Sequence, residues 1–96
     1  MPVFSIWESR FPVEAAAEGR QATAAIWHDM LEYDGYLRHV IVEDVDDPGH
    51  LFVLSEWESR EAADRVRDQY AGHENAAWAD RLVTQPRRRV VGRPVD

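Results

Sequence analysis

Two short stretches of the sequence decide its fold: VFSIWESR at residues 3–10 and VLSEWESR at residues 53–60. They lie 50 positions apart in a chain of 96 residues, and six of their eight positions are identical. Their β-branched and aromatic residues predict a strand in each, and a stretch with helical spacing follows each copy. Because a repeat at fixed spacing indicates a duplicated structural unit, the sequence predicts one domain, residues 1–96, built from two β-α-β halves.

The segments that follow the two copies carry helix signals. After the first copy we predict a long helix from Val13 to Leu31. Pro12 precedes it, and proline suits a helix start because its missing N–H would be unpaired there. After the second copy, Ser59 is the predicted N-cap and Ala71-Gly72 ends the helix. A further short helix is predicted from Glu74 to Leu82.

A hairpin joins the two halves. Residues 36–45 and 50–57 have strand composition, and the segment DDPG at residues 46–49 between them is rich in turn-forming residues. A last strand is predicted over residues 87–92, after Pro86. The order is therefore β-α-β-β-α-β, which is the ferredoxin-like split arrangement: an α+β fold with an antiparallel sheet and helices on one face.

The predicted third strand is apolar on both of its faces. Val53 and Trp57 lie on one side, and Phe52 and Leu54 lie on the other. A strand of this kind is buried on both faces, yet the helices of this fold cover only one face of the sheet. We therefore expect a homodimer in which the uncovered faces of two sheets pack together, which would form a dimeric α+β barrel.

Composition excludes several functional classes. The net charge is −7, which argues against a nucleic-acid partner, and all eleven cationic residues are arginine. The chain has no cysteine for a disulfide or a thiolate zinc site, and no apolar run near the ~20 residues of a membrane span. The first ten residues do not resemble a signal peptide, so we expect a cytoplasmic protein. Arg87, Arg88 and Arg89 form the only basic cluster, interpreted as a solvated or interface strand end in preference to an anion site.

Several of these residues carry a resemblance to a known family. The junction Glu56-Trp57-Glu58-Ser59, the later His73 and Trp78, and Gly35-Tyr36-Leu37 at the start of the second strand resemble the antibiotic biosynthesis monooxygenase family of dimeric α/β-barrel proteins. The resemblance implies a ferredoxin-like fold, a barrel formed across a dimer, and a pocket between the sheet and the helices. It also implies oxidation of quinols or anthrones by O₂ without metal or flavin, so that no cofactor is expected.

The haem-degrading sister group of this family is not expected here. Its pattern has an Asn before the Arg of the first strand, where this sequence has Ser9 before Arg10. Its later Trp corresponds to Val66, and its axial His has no counterpart because His73 comes too early. The quinol-oxidising branch fits better: of the two His that some members carry after the junction, the second has a counterpart in His73.

The candidate site residues follow from this comparison and from aromatic composition. His73 is the predicted catalytic residue, a proton acceptor for a phenol, because the pKa of histidine lies near neutrality. Trp7 and Trp57 occupy equivalent places in the two halves and are the predicted walls for a planar ligand. Further substrate-binding residues are predicted among the remaining aromatic residues: Trp27, Tyr36, Tyr70 and Trp78. The alternatives are ordinary core packing for the aromatic residues and a helix cap for His73.

No metal site is predicted. His28, Asp29 and Glu32 have helical spacing, but such a set on an exposed helix side is normally solvated. His39 and His50 have no partner at ligand spacing. Nucleotide-binding, hydrolase and zinc-enzyme motifs such as GxGxxG, GxSxG and HExxH are absent.

The sequence thus favours a cofactor-independent monooxygenase-like enzyme that oxidises a quinol- or anthrone-type aromatic with O₂. Two alternatives stay open. One is a dimer without catalytic activity, which binds a small molecule or supports another enzyme. The other is a cyclase-like or isomerase-like member of the same barrel type, such as a polyketide cyclase, which would use the same pocket without oxygen.

Overall fold

A computed structural model describes residues 1–96, and the element order is the one predicted. The strands are β1 (Val3–Arg10), β2 (Tyr36–Glu43), β3 (His50–Trp57) and β4 (Arg88–Gly92). The helices are α1 (Ala16–Asp29), α2 (Arg60–Tyr70) and α3 (Glu74–Leu82). Single 3₁₀ turns at Val13–Ala15 and Met30–Glu32 flank α1, so the predicted long helix is helical throughout but tightens at both ends.

The four strands form one antiparallel sheet in the order β2-β3-β1-β4. The two copies of the repeat, β1 and β3, are therefore neighbours at its centre. Ser5 pairs with Ser55, which is its own counterpart in the repeat, while Val3 pairs with Trp57 and Trp7 pairs with Val53. The repeat thus reflects an approximate two-fold axis that passes between Ser5 and Ser55.

Side-chain caps fix the start of both helices in the second half. Ser59 Oγ accepts a hydrogen bond from the backbone N–H of Ala62 at 3.1 Å, as an N-cap serine does. His73 Nδ1 accepts one from the backbone N–H of Asn75 at 3.0 Å. The sequence correctly located both of these helices, including the bounds of α3.

The hydrophobic core lies between the sheet and the helices. Its largest members come from α1, β3 and α2: Ile26, Trp27, Met30, Val53, Trp57, Val66 and Tyr70. Two buried serines on the central strands add hydrogen bonds to this core. Ser55 Oγ donates to the Ser5 carbonyl at 2.9 Å and accepts from Trp57 Nε1 at 3.0 Å. These bonds pair the Ser55 hydroxyl and the Trp57 N–H, and they hold the Trp57 indole in one orientation.

The opposite face of the sheet presents apolar side chains to the outside. The exposed fractions are 51% for Val40, 40% for Val42, 36% for Leu54 and 54% for Val90. This pattern matches the expectation of a strand that is apolar on both faces, and packing against a second sheet remains a prediction. None of the helices is both long enough and apolar enough to cross a membrane.

Candidate active site

One cavity of about 160 Å³ lies between the sheet and the helices. Four aromatic side chains from four different elements wall it, and all four are among the predicted substrate-binding residues: Trp7, Trp27, Trp57 and Tyr70. The remaining apolar lining comes from α1, α2 and the segment around α3: Ile26, Met30, Ala63, Val66, Ala71 and Ala76. A pocket dominated by aromatic and aliphatic groups suits a planar apolar ligand.

The sheet positions the two repeat tryptophans by strand parity. Trp7 and Trp57 both point to the helix-covered face, as the alternation of side chains along a strand requires. Trp27 of α1 meets Trp57 edge to face, with ring centres 6.5 Å apart. This arrangement is a favourable one for aromatic pairs, so the wall is preorganised before any ligand is bound.

One end of the cavity is cationic. Arg67, Arg87 and Arg89 belong to its lining. The guanidinium carbons of Arg87 and Arg89 lie 5.1 Å and 5.9 Å from the centre of the Trp7 ring, within cation–π distance. Arg87 and Arg89 are only 18% and 11% exposed, so the solvated form of the predicted strand end does not describe them. Only Arg88, 73% exposed, matches that form. The interface and the anion site remain predictions for residues 87–89.

Arg89 carries the one buried side-chain nitrogen or oxygen in the structure that has no hydrogen-bond partner, its Nε. The Nη2 of the same guanidinium donates to Asp64 Oδ1 at 2.8 Å. That bond is the main reason why the pKa of Asp64 is lowered, so the carboxylate stays ionised and holds Arg89 in place. This Nε has almost no accessible surface, so its unmade hydrogen bond costs free energy and is closed to a ligand in the cavity.

The cavity opens beside an ion pair. Asp80 is the only carboxylate in the lining, and Arg87 Nε donates to its Oδ1 at 2.8 Å. Outside the pair lies a polar surface groove of about 540 Å³, formed largely by residues 83–86. Trp7, Asp80 and Arg87 line both the cavity and the groove, so they form the boundary between the two.

His73, the predicted proton acceptor, does not line the cavity. Its ring stacks on Tyr70, with ring centres 4.5 Å apart and planes inclined by 6°. Its Nε2 lies 3.7 Å from Asp29 Oδ2, which also accepts from the Tyr70 hydroxyl at 2.6 Å and from Asn75 Nδ2 at 3.0 Å. The bond from Tyr70 is the main cause of the lowered pKa of Asp29, while burial raises the pKa of Tyr70.

Two other predicted substrate-binding residues also lie outside the cavity wall. The Tyr36 ring meets Trp57 edge to face at 5.6 Å, and its hydroxyl is 2.5 Å from His39 Nδ1. Trp78 Nε1 donates to Glu18 at 2.7 Å and so connects α3 to the start of α1. These residues support the cavity wall or the helix packing and do not contribute to the cavity surface.

The expectation that His50 has no partner at ligand spacing is wrong, because Asp44 and Asp47 lie close to it in the structure. His50 is buried, with Nε2 2.7 Å from Glu8 Oε2 and Nδ1 3.0 Å from Asp44 Oδ2. The hydrogen bond to Glu8 is the main reason why the pKa of His50 is raised. Ligand-type atoms of Asp44, Asp47 and His50 lie within 4.8 Å of one another, but both ring nitrogens already face carboxylates, as in a doubly protonated ring. His50 and its two partly exposed carboxylate partners, Glu8 and Asp44, therefore form an ion-pair cluster that ties the hairpin to β1.

Residues 2–71 match the family model described as antibiotic biosynthesis monooxygenase. The chain belongs to this family. Known structures have the same fold over almost the whole chain. One of them is the N63A mutant of SnoaB, a cofactor-independent oxygenase from Streptomyces nogalater. It is 17% identical in sequence, and it superimposes with a TM-score of 0.86 over 99% of this chain and 94% of the SnoaB chain.

Two further structures resemble the chain as closely. Rv0793 from Mycobacterium tuberculosis is 25% identical, with a TM-score of 0.84, covering 100% of this chain and 97% of its own. A conserved protein from Methanosarcina mazei is 13% identical, also with a TM-score of 0.84, covering 97% and 92%. No curated protein matches the sequence. Family membership and the ferredoxin-like fold predicted from the repeat are thus confirmed, while the chemistry has to be argued from the cavity.

The sequence analysis favoured a strand end over an anion site for residues 87–89, although a signal for their place in the cavity wall was present. Alternation along the last strand puts residues 87 and 89 on one side and residue 88 on the other. Pairing with β1 then places Arg89 directly opposite Trp7. Strand parity thus assigns Arg89 to the face that carries Trp7 and Trp57.

Proposed function

We propose that this protein is a cofactor-independent oxygenase that oxidises a hydroxylated aromatic compound of the quinol or anthrone type with O₂. Family membership supports oxygenase chemistry, and the aromatic cavity supports a planar substrate. The single observation that carries the proposal is the pair of guanidinium groups, Arg87 and Arg89, which line that aromatic cavity and lie near the Trp7 ring. A cationic group in the wall of an apolar cavity stabilises an oxyanion, which is the form of a phenol that reacts with oxygen.

The reaction begins when the aromatic hydroxyl loses its proton beside Arg89. The electron-rich anion reduces O₂, and a carbon–oxygen bond forms at a ring C–H or CH₂ carbon to give a hydroperoxide. Loss of the proton on that carbon and cleavage of the O–O bond release water and leave a carbonyl. One oxygen atom ends in the product and the other in water, and the substrate supplies all the electrons. The protein contributes orientation and exclusion of water.

Two groups are candidates for accepting the hydroxyl proton. His73 remains the sequence-based proposal, although it contacts the cavity only through the stacked ring of Tyr70. Asp80 is the second candidate because it is the carboxylate that lines the cavity. Its ion pair with Arg87 places it at the opening, from which a proton can pass to solvent.

We further propose that the protein works as a homodimer through the uncovered sheet face. The exposed valines and leucine of that face, Val40, Val42, Leu54 and Val90, come from three different strands and form one apolar surface. Exposed patches of this kind on small domains mark association sites. A second copy offers the same surface, and the two-fold arrangement is self-complementary.

The test is oxygen consumption by the purified protein with a panel of quinols and anthrones, measured beside a no-protein control that gives the autoxidation rate. The variants are Arg89→Gln, His73→Ala and Asp80→Asn, with Arg88→Gln as the matched control. We expect uptake above autoxidation that falls at least tenfold in Arg89→Gln and is unchanged in Arg88→Gln. Of His73→Ala and Asp80→Asn, the variant that shifts the pH profile of the rate identifies the proton acceptor.

Uptake no faster than autoxidation across the panel would contradict the oxygenase proposal. Turnover of the same compounds without oxygen uptake would indicate a cyclase-like or isomerase-like reaction. Binding without any turnover, seen as a change in tryptophan fluorescence, would indicate the role of a small-molecule binder. Fluorescence is a suitable signal because three of the four tryptophans wall the cavity: Trp7, Trp27 and Trp57.

A further inference from the structure

A chain of aromatic rings leads from the cavity wall to the edge of the sheet. Trp27 and Trp57 line the cavity, Tyr36 contacts Trp57, and the Tyr36 hydroxyl is hydrogen-bonded to His39. We propose that Tyr36 donates an electron to an oxidised tryptophan of the cavity wall while its hydroxyl proton passes to His39. The inference goes beyond the proposed function and does not depend on it, because it concerns the protein's own side chains.

The rings of the chain are in direct contact. The centres of the Trp27 and Trp57 rings are 6.5 Å apart, and those of Trp57 and Tyr36 are 5.6 Å apart. Both separations are within the range of about 4.5–7 Å for aromatic pairs in contact. No aliphatic side chain interrupts the path, so an electron can pass from ring to ring without a mobile carrier.

An irregularity in strand β2 brings Tyr36 and His39 together. In a regular strand, residues 36 and 39 would point to opposite faces of the sheet. The pairing of β2 with β3 shifts its register between Tyr36 and Arg38, and Tyr36 lies opposite Trp57. His39, opposite Ser55, then points to the same helix-covered face, with its Nδ1 2.5 Å from the Tyr36 hydroxyl. Bulges of this kind serve to redirect a side chain.

The protonation states of the pair suit the coupled transfer of an electron and a proton. Burial raises the pKa of Tyr36, so its hydroxyl keeps its proton and donates it to the hydrogen bond. Burial lowers the pKa of His39, so the imidazole is neutral at neutral pH and its Nδ1 accepts. Loss of an electron makes a phenol strongly acidic, and the proton then has a base within hydrogen-bond distance.

The transfer balances as follows. An oxygen-centred organic radical in the cavity takes one electron from Trp57 and becomes an anion, which leaves an indole radical cation. Tyr36 returns one electron to the indole, and its hydroxyl proton moves to His39 Nδ1. A neutral tyrosyl radical and an imidazolium remain. A thiol in solution then gives a hydrogen atom to Tyr36 and becomes a thiyl radical, while His39 releases its proton to water. The oxidant is thus removed from the cavity before it damages the wall.

The hydrogen bonds determine the direction of the transfer. Trp57 Nε1 donates to Ser55 Oγ at 3.0 Å, and that hydroxyl donates onward to the Ser5 carbonyl. A hydroxyl is too weak a base to take the indole proton, so oxidised Trp57 keeps its positive charge and remains a strong oxidant. Tyr36 has an imidazole as its proton acceptor, and therefore the electron moves from Tyr36 to Trp57.

Tyr70 is the competing tyrosine, since it lines the cavity itself. However, its ring pairs with Tyr33 and His73 and not with a tryptophan. Its hydroxyl donates to Asp29, and this bond is the main reason why the pKa of Asp29 is lowered. A carboxylate of lowered pKa is a poorer proton acceptor than a neutral imidazole. We therefore place the radical on Tyr36, which is partly exposed on an edge strand where a thiol can reach it.

The test is flash photolysis of the purified full-length protein without substrate. A light pulse at the red edge of the tryptophan absorption, where tyrosine absorbs little, ionises tryptophans directly. Tryptophan and tyrosyl radicals differ in their absorption and electron paramagnetic resonance spectra, so both can be followed. In the wild type we expect a tyrosyl radical to form as the tryptophan radical decays. The step should be slower in D₂O because a proton moves with the electron.

Variants assign the radical to Tyr36. Tyr36→Phe keeps the ring but removes the hydroxyl, so the tyrosyl signal should be lost. In His39→Gln the transfer should slow by about a hundredfold, the low end of what a positioned base contributes to proton transfer. Tyr33→Phe is the matched control, since Tyr33 is equally part-buried but has no tryptophan contact, and it should behave as wild type. Tyr70→Phe should also retain the signal.

A tyrosyl signal that persists in Tyr36→Phe, or one that is lost in Tyr70→Phe, would overturn the inference. So would a tryptophan radical in the wild type that decays without forming any tyrosyl radical. If His39→Gln fails to fold, Tyr36→Phe and the comparison in D₂O still decide the question. Because no substrate is present, a negative result here rejects the electron path alone, whereas oxygen uptake no faster than autoxidation rejects the oxygenase alone.

Discussion

Asp64 Oδ1 accepts a hydrogen bond of 2.8 Å from Arg89 Nη2, and this bond joins helix α2 to the edge strand β4. It fixes the guanidinium that we assign to the ligand oxyanion. The same bond makes Asp64 harder to protonate in the folded protein than in the unfolded chain. The contact therefore affects both the site and the stability of the protein at low pH.

Replacing Asp64 by Asn should weaken the decrease in the free energy of unfolding that the wild type shows at acidic pH. Because the folded-state pKa is lowered, ionised Asp64 stabilises the fold above its unfolded pKa of about 4, and this contribution is lost as the pH falls through the folded pKa. Denaturant midpoints of wild type and Asp64→Asn should differ at neutral pH and converge in acid. Asp68→Asn on the same helix is the control, and an equal effect there would contradict the assignment.

Replacing His50 by Gln should remove a loss of folding stability that the wild type shows as the pH rises above neutrality. The pKa of His50 is raised by Glu8 and then Asp44, against smaller opposing effects of burial and Arg10. The protonated ring thus stabilises the fold fully below its unfolded pKa of about 6.5, and this contribution is lost as the pH rises through the raised folded value.

Wild-type stability is therefore expected to fall between neutral and mildly alkaline pH, whereas His50→Gln is less stable at pH 6 and shows a flatter curve. His28→Gln, on the exposed side of α1, serves as the control. Proton NMR of the imidazole gives the folded pKa directly. A His50 pKa at or below that of a free histidine would reject the ion-pair cluster.

Replacing Gly35 by Ala should destabilise the protein by about 2 kcal/mol or more. Gly35 has φ +94°, and an added Cβ would lie 2.5 Å from Ala62 Cβ. Both the left-handed backbone and the overlap with a buried side chain are unfavourable for alanine. Gly72→Ala is the matched control: φ there is not positive and no atom lies within 4 Å, so a gain of ~0.4–1 kcal/mol is expected. Chemical denaturation measures both, and similar values would contradict the prediction.

Replacing Leu54 by Glu should produce monomers. Leu54 lies on the uncovered sheet face that we assign to the dimer, where a buried carboxylate would be unpaired. Light scattering after size-exclusion chromatography should show a dimer for the wild type and half that mass for Leu54→Glu. Val45→Glu adds the same charge at a residue that is 94% exposed and lies outside the sheet, so it should stay dimeric. A monomeric wild type would reject the dimer outright.

Local signals predicted most of the fold. The repeat gave the two halves, and the turn residues between β2 and β3 gave the hairpin. Ser59 and His73 act as the caps that their positions suggested. These features depend on residues near one another in sequence, where propensity and hydrogen bonding are local. The strand ends were less accurate because β2 stops at Glu43, where Asp44 forms a turn by accepting a hydrogen bond from the Asp46 N–H.

The site was predicted only in part, since it depends on contacts between distant residues. Four of the six predicted aromatic residues wall the cavity because strand parity or helix position determines where they point. The partners of His50 could not be found by spacing, as Glu8 lies 42 positions away and becomes its neighbour through the β1–β3 pairing. Likewise, the bond between Arg89 and Asp64 needs the packing of α2 against the last strand, which no short motif encodes.

Strand β4 has only one neighbour in the sheet, β1, and runs for only five residues. Arg89 on one of its faces serves the cavity, while Val90 on the other belongs to the surface assigned to the dimer. Fraying of this strand would therefore disable both faces at once. By thermodynamic reciprocity, a ligand that holds β4 in place also favours association, and association raises affinity for the ligand. In the proposed dimer, these five residues at the sheet edge would couple occupancy of the site to the assembly of the protein.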